Sequence, residues 1–311
     1  MNGPFAEKSN FAPFTALIGV QVFFGSFPVI GKVVLAALPS LALVGFRVGL
    51  TAVVLYFIQR FRGSLMLAER RDYMRLAMLS VFGVSLNQIL FVTGLSLTKA
   101  ANTSLLAVTI PIFTILISVV AGLELLRWQK VVGIFFAAAG VLFLIDPRNA
   151  SFSSATTLGD ILIICNSFSY GIFVATSKAV LIRNGPLRSM TWIFLFASIV
   201  CVPLGYISLS RVETADIPIY VWALVGYIAF FGTAVPYLLN AWALARVSPS
   251  TVAVFIYLQP LIGFAMAVAF LGEHIDLKFG VAATLVFAGV FMTTRRETKS
   301  LGIRKDIKVV G

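Results

Sequence analysis

FFGSFPVIGK, residues 23–32, and SYGIFVATSK, residues 169–178, are two readings of one pattern: Gly25 pairs with Gly171, Phe27 with Phe173 and Lys32 with Lys178, at an offset of 146. A second register, three residues longer, runs through the later part of each half. At an offset of 149, Pro111 falls on Pro260, Glu124 on Glu273 and Gly140 on Gly289, and AAAGVLF (137–143) lies beside VFAGVFM (286–292). Two nearly equal offsets in separate segments indicate an internal duplication.

Each copy is embedded in apolar sequence. The 311 residues are 59% hydrophobic and only 12% charged, with a mean hydropathy of +0.99, against roughly 45–50% and ~25% in soluble domains. A water-surrounded fold cannot hide that much apolar surface, so soluble enzymes, disordered chains and coiled coils are excluded. Ten apolar runs stand near 14–36, 39–60, 73–97, 101–121, 128–146, 158–182, 187–209, 218–245, 248–271 and 276–294. Each is long enough to cross about 30 Å of hydrocarbon as a helix. They lack the alternation of barrel strands, and in lipid a helix is then the way to satisfy the backbone. Nothing in the first run resembles a cleaved signal, since Lys32 and Pro39 stand where small residues would be needed.

The net charge of +12 would suggest nucleic acid in a soluble chain. Here its distribution matters more. With a cytoplasmic N-terminus, seventeen Lys and Arg fall in inside segments and four outside (Lys99, Arg148, Arg211 and Lys278). That bias places both termini in the cytoplasm and turns the charge into a topology signal, with no nucleic-acid partner. Five spans per copy is an odd number, so the second copy inserts upside down. The expected fold is therefore all-α: ten transmembrane helices as two inverted five-helix repeats around a central cavity. The segments are a cytoplasmic N-terminus (1–13), repeat one (14–146), an outside linker (147–157), repeat two (158–294) and a basic cytoplasmic tail (295–311). Inverted repeats characterise secondary transporters, in which one bundle rocks against another.

The joint order of these features resembles the EamA-domain drug/metabolite transporter superfamily over about residues 14–294. It comprises ten spans in a 5 + 5 arrangement, Gly-x-Phe-x₄-Lys early in each half, Arg47 in span 2, and a mid-span proline followed by an acid at the ends of spans 4 and 9. Within that superfamily the chain is similar to bacterial aromatic amino acid exporters of the YddG type. The resemblance implies a cell inner-membrane carrier that exports small organic metabolites, amino acids foremost, by alternating access. It departs from the pattern at SLTKAANTS (96–104), where Lys99 and Asn102 replace the proline turn of ARVSPSTVA (245–253).

Candidate transport residues follow from cost. Pro28, Pro111, Pro203, Pro236 and Pro260 each free a carbonyl four residues earlier, at Phe24, Ala107, Ile199, Gly232 and Ile256, which either a neighbouring hydroxyl or a substrate ammonium can take. Pro111 and Pro260, being paired, are candidate hinges. Lys32, Arg47 and Lys178 are costly in hydrocarbon. Both lysines can snorkel, gate or meet a substrate carboxylate; Arg47 calls for an internal partner, either an ion pair or a substrate. Glu124 and Glu273 suit helix caps or gates. Asn87, Gln88, Asn166, Tyr237, Asn240, Tyr257 and Gln259 can bind a polar headgroup without fixed charge, or simply join helices. Trp192 and Tyr170 can stack on an apolar solute. Cys165 and Cys201 read as small core residues with no disulfide or metal spacing.

Rival functions want residues the spans do not offer. A multidrug or quaternary-amine exporter of the same fold should place a carboxylate in its cavity. A membrane-embedded enzyme needs paired His, Asp or Glu, and the single histidine, His274, sits in a loop. The reading is thus a non-enzymatic carrier with no cofactor or metal, a small-molecule substrate and the lipid bilayer as its partners, and an oligomeric state the sequence leaves open.

Overall fold

The computed structural model describes residues 11–145, 156–213, 217–271 and 277–306. Among these every regular element is a helix. Among the described residues, nine helices are long and apolar enough to cross a membrane. They are spans 1 (Ala12–Leu35), 2 (Ser40–Arg62), 3 (Arg70–Leu97), 4 (Asn102–Val120), 5 (Trp128–Ile145), 6 (Thr157–Asn184), 7 (Pro186–Leu209), 8 (Ile219–Leu244) and 10 (Leu277–Thr294). Span 9 is the exception, built as Pro249–Val254, a tight 3₁₀ turn at Phe255–Tyr257, and Leu258–Leu271. Short connections make successive spans run up and down. Spans 1 and 10 begin and end, respectively, at one face of the bundle, here the terminal face.

The duplication is visible in the irregularities. Span 3 widens to a π-helix at Val81–Ser85 and span 8 does so at Phe230–Ala234, one repeat length further on. Span 4 breaks at residues 107–108, span 9 at Phe255–Tyr257, in both cases just ahead of the paired prolines Pro111 and Pro260. A proline cannot donate to the carbonyl one turn back, so the helix tightens there instead. In span 4 the Ile110 amide takes the Ala107 carbonyl at 3.0 Å, so this carbonyl is occupied rather than free.

Close packing comes from small residues, as expected where lipid offers no hydrophobic drive between helices. Spans 2 and 7 cross where a Cβ on Gly45 would stand 2.8 Å from the Gly205 Cα. Spans 5 and 10 meet at Gly133 against Gly289 and at Gly140 against Ala282, two contacts related by the repeat. Outward positions such as Val29, Phe135 and Ile199 are apolar and about 70% exposed, which suits a hydrocarbon surround. Cys201 is buried as its run suggests, but Cys165 lies on the exposed surface rather than in the core.

Candidate functional site

Spans 1, 2, 3, 4, 6, 8 and 9 enclose a cavity of about 100 Å³; among the described residues, none from spans 5, 7 and 10 lines it. Its wall is partly aromatic, through Phe24, Phe27, Phe91, Tyr170 and Tyr237, and partly amide, through Gln21, Asn87, Gln88, Asn166, Asn240 and Gln259. Among the described lining residues Arg47 carries the one full charge, and no carboxylate is present.

The centre is organised by Tyr237. Its hydroxyl accepts from Gln88 Nε2 at 2.9 Å and donates to Asn87 Oδ1 at 3.0 Å, with the Gly83 carbonyl at 3.2 Å as the alternative acceptor. Gln88 and Tyr237 are 149 residues apart, so they are repeat equivalents bonded to each other. The same holds for Val108 and Tyr257, whose hydroxyl donates to the Val108 carbonyl at 3.0 Å. A residue can touch its own symmetry mate only near the axis, so these two pairs mark the pseudo-twofold axis in the middle of the bundle.

The π-helices supply the acceptors around this axis. A π-turn leaves carbonyls outside the regular ladder. In span 3, Phe82 accepts from Ser169 Oγ at 2.8 Å. In span 8, Ala229 accepts from Thr51 Oγ1 at 3.0 Å, and Gly232 accepts from Arg47 Nη2 at 3.1 Å. Gly232 is the carbonyl that Pro236 frees, so the expected vacancy exists and a protein cation fills it. Two phenylalanines of the repeated motif pack across the halves against the glycines at these turns. A Cβ on Gly83 would stand 2.3 Å from the Phe173 ring, and one on Gly232 would stand 3.4 Å from Phe27.

Arg47 finds neutral partners within the protein. Among the described residues it has no carboxylate partner; its Nε donates to Thr233 Oγ1 at 2.9 Å, its Nη2 to Gly232, and its guanidinium lies 4.3 Å above the Phe27 ring. The side chain is 3% exposed, and Nη1 is buried with no hydrogen-bond partner. An arginine at the centre of a span costs about 2.5–3.5 kcal/mol on insertion scales. Neutral acceptors and a π-face offset part of that cost.

Both lysines reach carbonyls at the ends of neighbouring spans. Lys32 Nζ donates to Thr98 at 2.6 Å, and Lys178 Nζ to Val247 at 2.7 Å, the same contact in each half. A cation at a helix C-terminus also meets the negative end of the dipole. On the face away from the termini, Thr98 Oγ1 in turn donates to Asp160 Oδ1 at 2.6 Å, and Asn102 Nδ2 to the same oxygen at 3.1 Å. Asn102, at the departure from the proline turn, thus holds the junction of spans 3 and 4 against the start of span 6.

On the terminal face Glu124 is both an ion-pair partner and a cap, its Oε2 accepting from the Ser250 N–H at the head of the Pro249–Val254 helix at 3.3 Å. It pairs with Lys130 and accepts from Ser250 Oγ at 2.7 Å, while Lys130 also donates to Ser248 and Ser250, both at 2.9 Å. Burial pushes the Glu124 carboxyl up. The Lys130 ammonium and hydrogen bonds from Lys130, Ser250 and Ser248 outweigh it and hold the group below the ordinary carboxylate range. Glu273, its repeat equivalent, lies outside the described residues, as does His274.

The remaining candidates separate into two groups. Phe24, Asn87, Gln88, Asn166, Tyr170, Tyr237, Asn240 and Gln259 all line the cavity. Asn166 Nδ2 bonds the Asn87 carbonyl, Asn240 Nδ2 bonds Tyr170 Oη and Gln259 Nε2 bonds Gln21 Oε1, each within 2.9 Å. Tyr257, Pro111 and Pro260 lie off it, at the two helix breaks. Trp192 is far from the role of a stacking platform. Its indole donates to the Leu65 carbonyl at 2.8 Å and packs on Tyr73 and Phe196, at the connection of spans 2 and 3. Gln21, Thr103 and Ser104 line the cavity without having been singled out in the sequence; the polar run AANTS at the head of span 4 was the available signal. No cluster of described residues could hold a metal ion.

Comparison with known proteins defines the class. The model of the EamA-like transporter family matches residues 12–146 and again 157–295, one match per repeat, and the chain belongs to that family. It is 26% identical over 277 residues to an uncharacterized transporter of Archaeoglobus fulgidus, covering 89% of this chain and 94% of that one. It is 24% identical to the uncharacterized transporter YyaM of Bacillus subtilis, covering 88% and 90%. A protein of Streptantibioticus cattleyicolor named "probable terminal-alkyne amino-acid exporter" is 24% identical over 78% of each chain. A solved crystal structure has the same fold, with a TM-score of 0.74 over 93% of this chain and 99% of the other at 15% identity.

Proposed function

We propose that this EamA-family transporter exports small amphiphilic metabolites, amino acids foremost, from the cytoplasm across the cell inner membrane by alternating access, with both termini cytoplasmic. The observation that carries the reading is the cavity on the pseudo-twofold axis, whose wall joins aromatic rings to amide groups and a single cation. Gln88, Asn166 and Asn240 use only their amide nitrogens in the bonds above, which leaves three carbonyl oxygens for an ammonium. Phe24, Tyr170 and Tyr237 offer faces and edges to an apolar side chain. The amino acid named for the Streptantibioticus relative is of this chemical kind. A quaternary-amine substrate fits less well, since the described lining holds a cation and no carboxylate.

The two polar clusters act as closures at opposite ends. Asp160 with Thr98 and Asn102 shuts one, Glu124 and Lys130 with Ser248 and Ser250 shuts the other, and the breaks before Pro111 and Pro260 let the adjoining half-spans swing. Flux from proteoliposomes tests the whole reading. A panel of aromatic, aliphatic and polar amino acids should show protein-dependent movement of at least one aromatic or aliphatic member; movement of none overturns the substrate class.

A further inference from the structure

We infer that Arg47 Nη1 receives the carboxylate of the transported solute, so that carriage requires a carboxylate and discriminates against the same molecule with that group neutralised. The inference rests on the small-metabolite reading above and narrows it.

Five observations carry it. Arg47 is the one charged group on the described cavity wall. Two of its nitrogens are fixed by Thr233 and Gly232, and the Phe27 ring lies against the guanidinium plane, so its direction is set before any ligand arrives. The third nitrogen, with two N–H groups, is buried and has no partner. A buried donor of a full positive charge left unsatisfied is costly, and a planar carboxylate is the group whose geometry and charge complement it. No described carboxylate of the protein lies within reach, and a carboxylate carried by the solute supplies the complement. The uncommitted amide oxygens of Gln88, Asn166 and Asn240 border the same cavity, which places acceptors for an ammonium beside the anion site.

The test compares three solutes that share one ring: L-phenylalanine, L-phenylalaninamide, which lacks the anionic group, and 3-phenylpropionate, which keeps it but lacks the ammonium. Efflux from proteoliposomes and thermal stabilisation of the purified protein are both read. Wild-type protein is expected to favour L-phenylalanine over its amide about tenfold or more, the worth of one charge-assisted contact. Arg47→Gln should bring that ratio close to one, and Arg47→Lys should restore part of it. Equal handling of acid and amide by the wild type, or a folded Arg47→Gln that keeps the preference, overturns the inference; the first arm needs no variant, so a misfolded mutant does not block it. Stabilisation of wild type but not of Arg47→Gln by 3-phenylpropionate upholds the anion site even if no amino acid moves, in which case the amino-acid reading alone fails. No response of the wild type to either carboxylate overturns both.

Discussion

At the level of single residues, the same motif position is under different pressure in the two halves. Gly83 and Gly232 are repeat equivalents, yet an added Cβ meets the Phe173 ring at 2.3 Å in one and clears Phe27 at 3.4 Å in the other. Gly83→Ala must therefore push an aromatic ring inside a packed core, at about 1–3 kcal/mol or more, while Gly232→Ala should be close to neutral. Melting temperatures of the two purified variants check this, and equal shifts would show that the rings adjust alike. Tyr257 belongs to the same scale. Its hydroxyl ties the break in span 9 to that in span 4, so Tyr257→Phe should lower stability by about 1 kcal/mol, from an unpaired carbonyl, and change transport by altering hinge rigidity rather than by losing a substrate contact. An unaltered melting curve would remove that tie from the account.

At the level of elements, the connections do as much as the spans. Glu124 and Lys130 bind the turn between spans 4 and 5 to the Ser248–Ser250 turn between spans 8 and 9, with side chains only about 10% exposed. Glu124→Gln leaves the Lys130 ammonium without its counter-charge, so roughly 3 kcal/mol is the expected loss at this end of the bundle. The sign with pH is fixed by the direction of the shift. A carboxyl held below its unfolded value of ~4.3 gives its full contribution above that value and loses it as pH falls through the lower, folded one. Thermal scans between pH 3 and pH 7 should thus show a steeper acid loss in the wild type than in Glu124→Gln; parallel curves would argue that the pair is not a closure. Nearby, Glu69 is held below the ordinary range by hydrogen bonds from Arg71 and Arg183. Its side chain is 36% exposed, so solvent screening leaves it orienting the connection of spans 2 and 3 without a comparable energetic role.

At the level of the whole molecule, the inverted duplication explains why polar contacts come in related sets: Lys32 and Lys178 on span ends, Gln88 bonded to its own equivalent Tyr237, glycine contacts repeated between spans 5 and 10. It also sets orientation. Reporter fusions to the C-terminus and to the connection of spans 7 and 8 should be cytoplasmic and external respectively, as the seventeen-to-four bias of basic residues requires; the reverse would overturn the assigned topology. The class, the crossings and the 5 + 5 duplication were determined by sequence alone, because apolar run length, charge bias and repeat offset are properties of the chain read in order. Most of the cavity residues were legible for a related reason, since uncharged polar groups in mid-span have few other reasons to be there. What tertiary structure decided was partnership. The π-turns at Val81–Ser85 and Phe230–Ala234 each add a residue to a turn and rotate the rest of the span off the 3.6-residue period. Facing side chains past those points cannot be read by counting. Arg47 shows this directly, since its carbonyl and hydroxyl partners, Gly232 and Thr233, both sit in the span 8 π-turn. Trp192 at its connection and Glu124 between Lys130 and the Ser248–Ser250 turn depend on contacts between distant segments, which no local count of positions reveals.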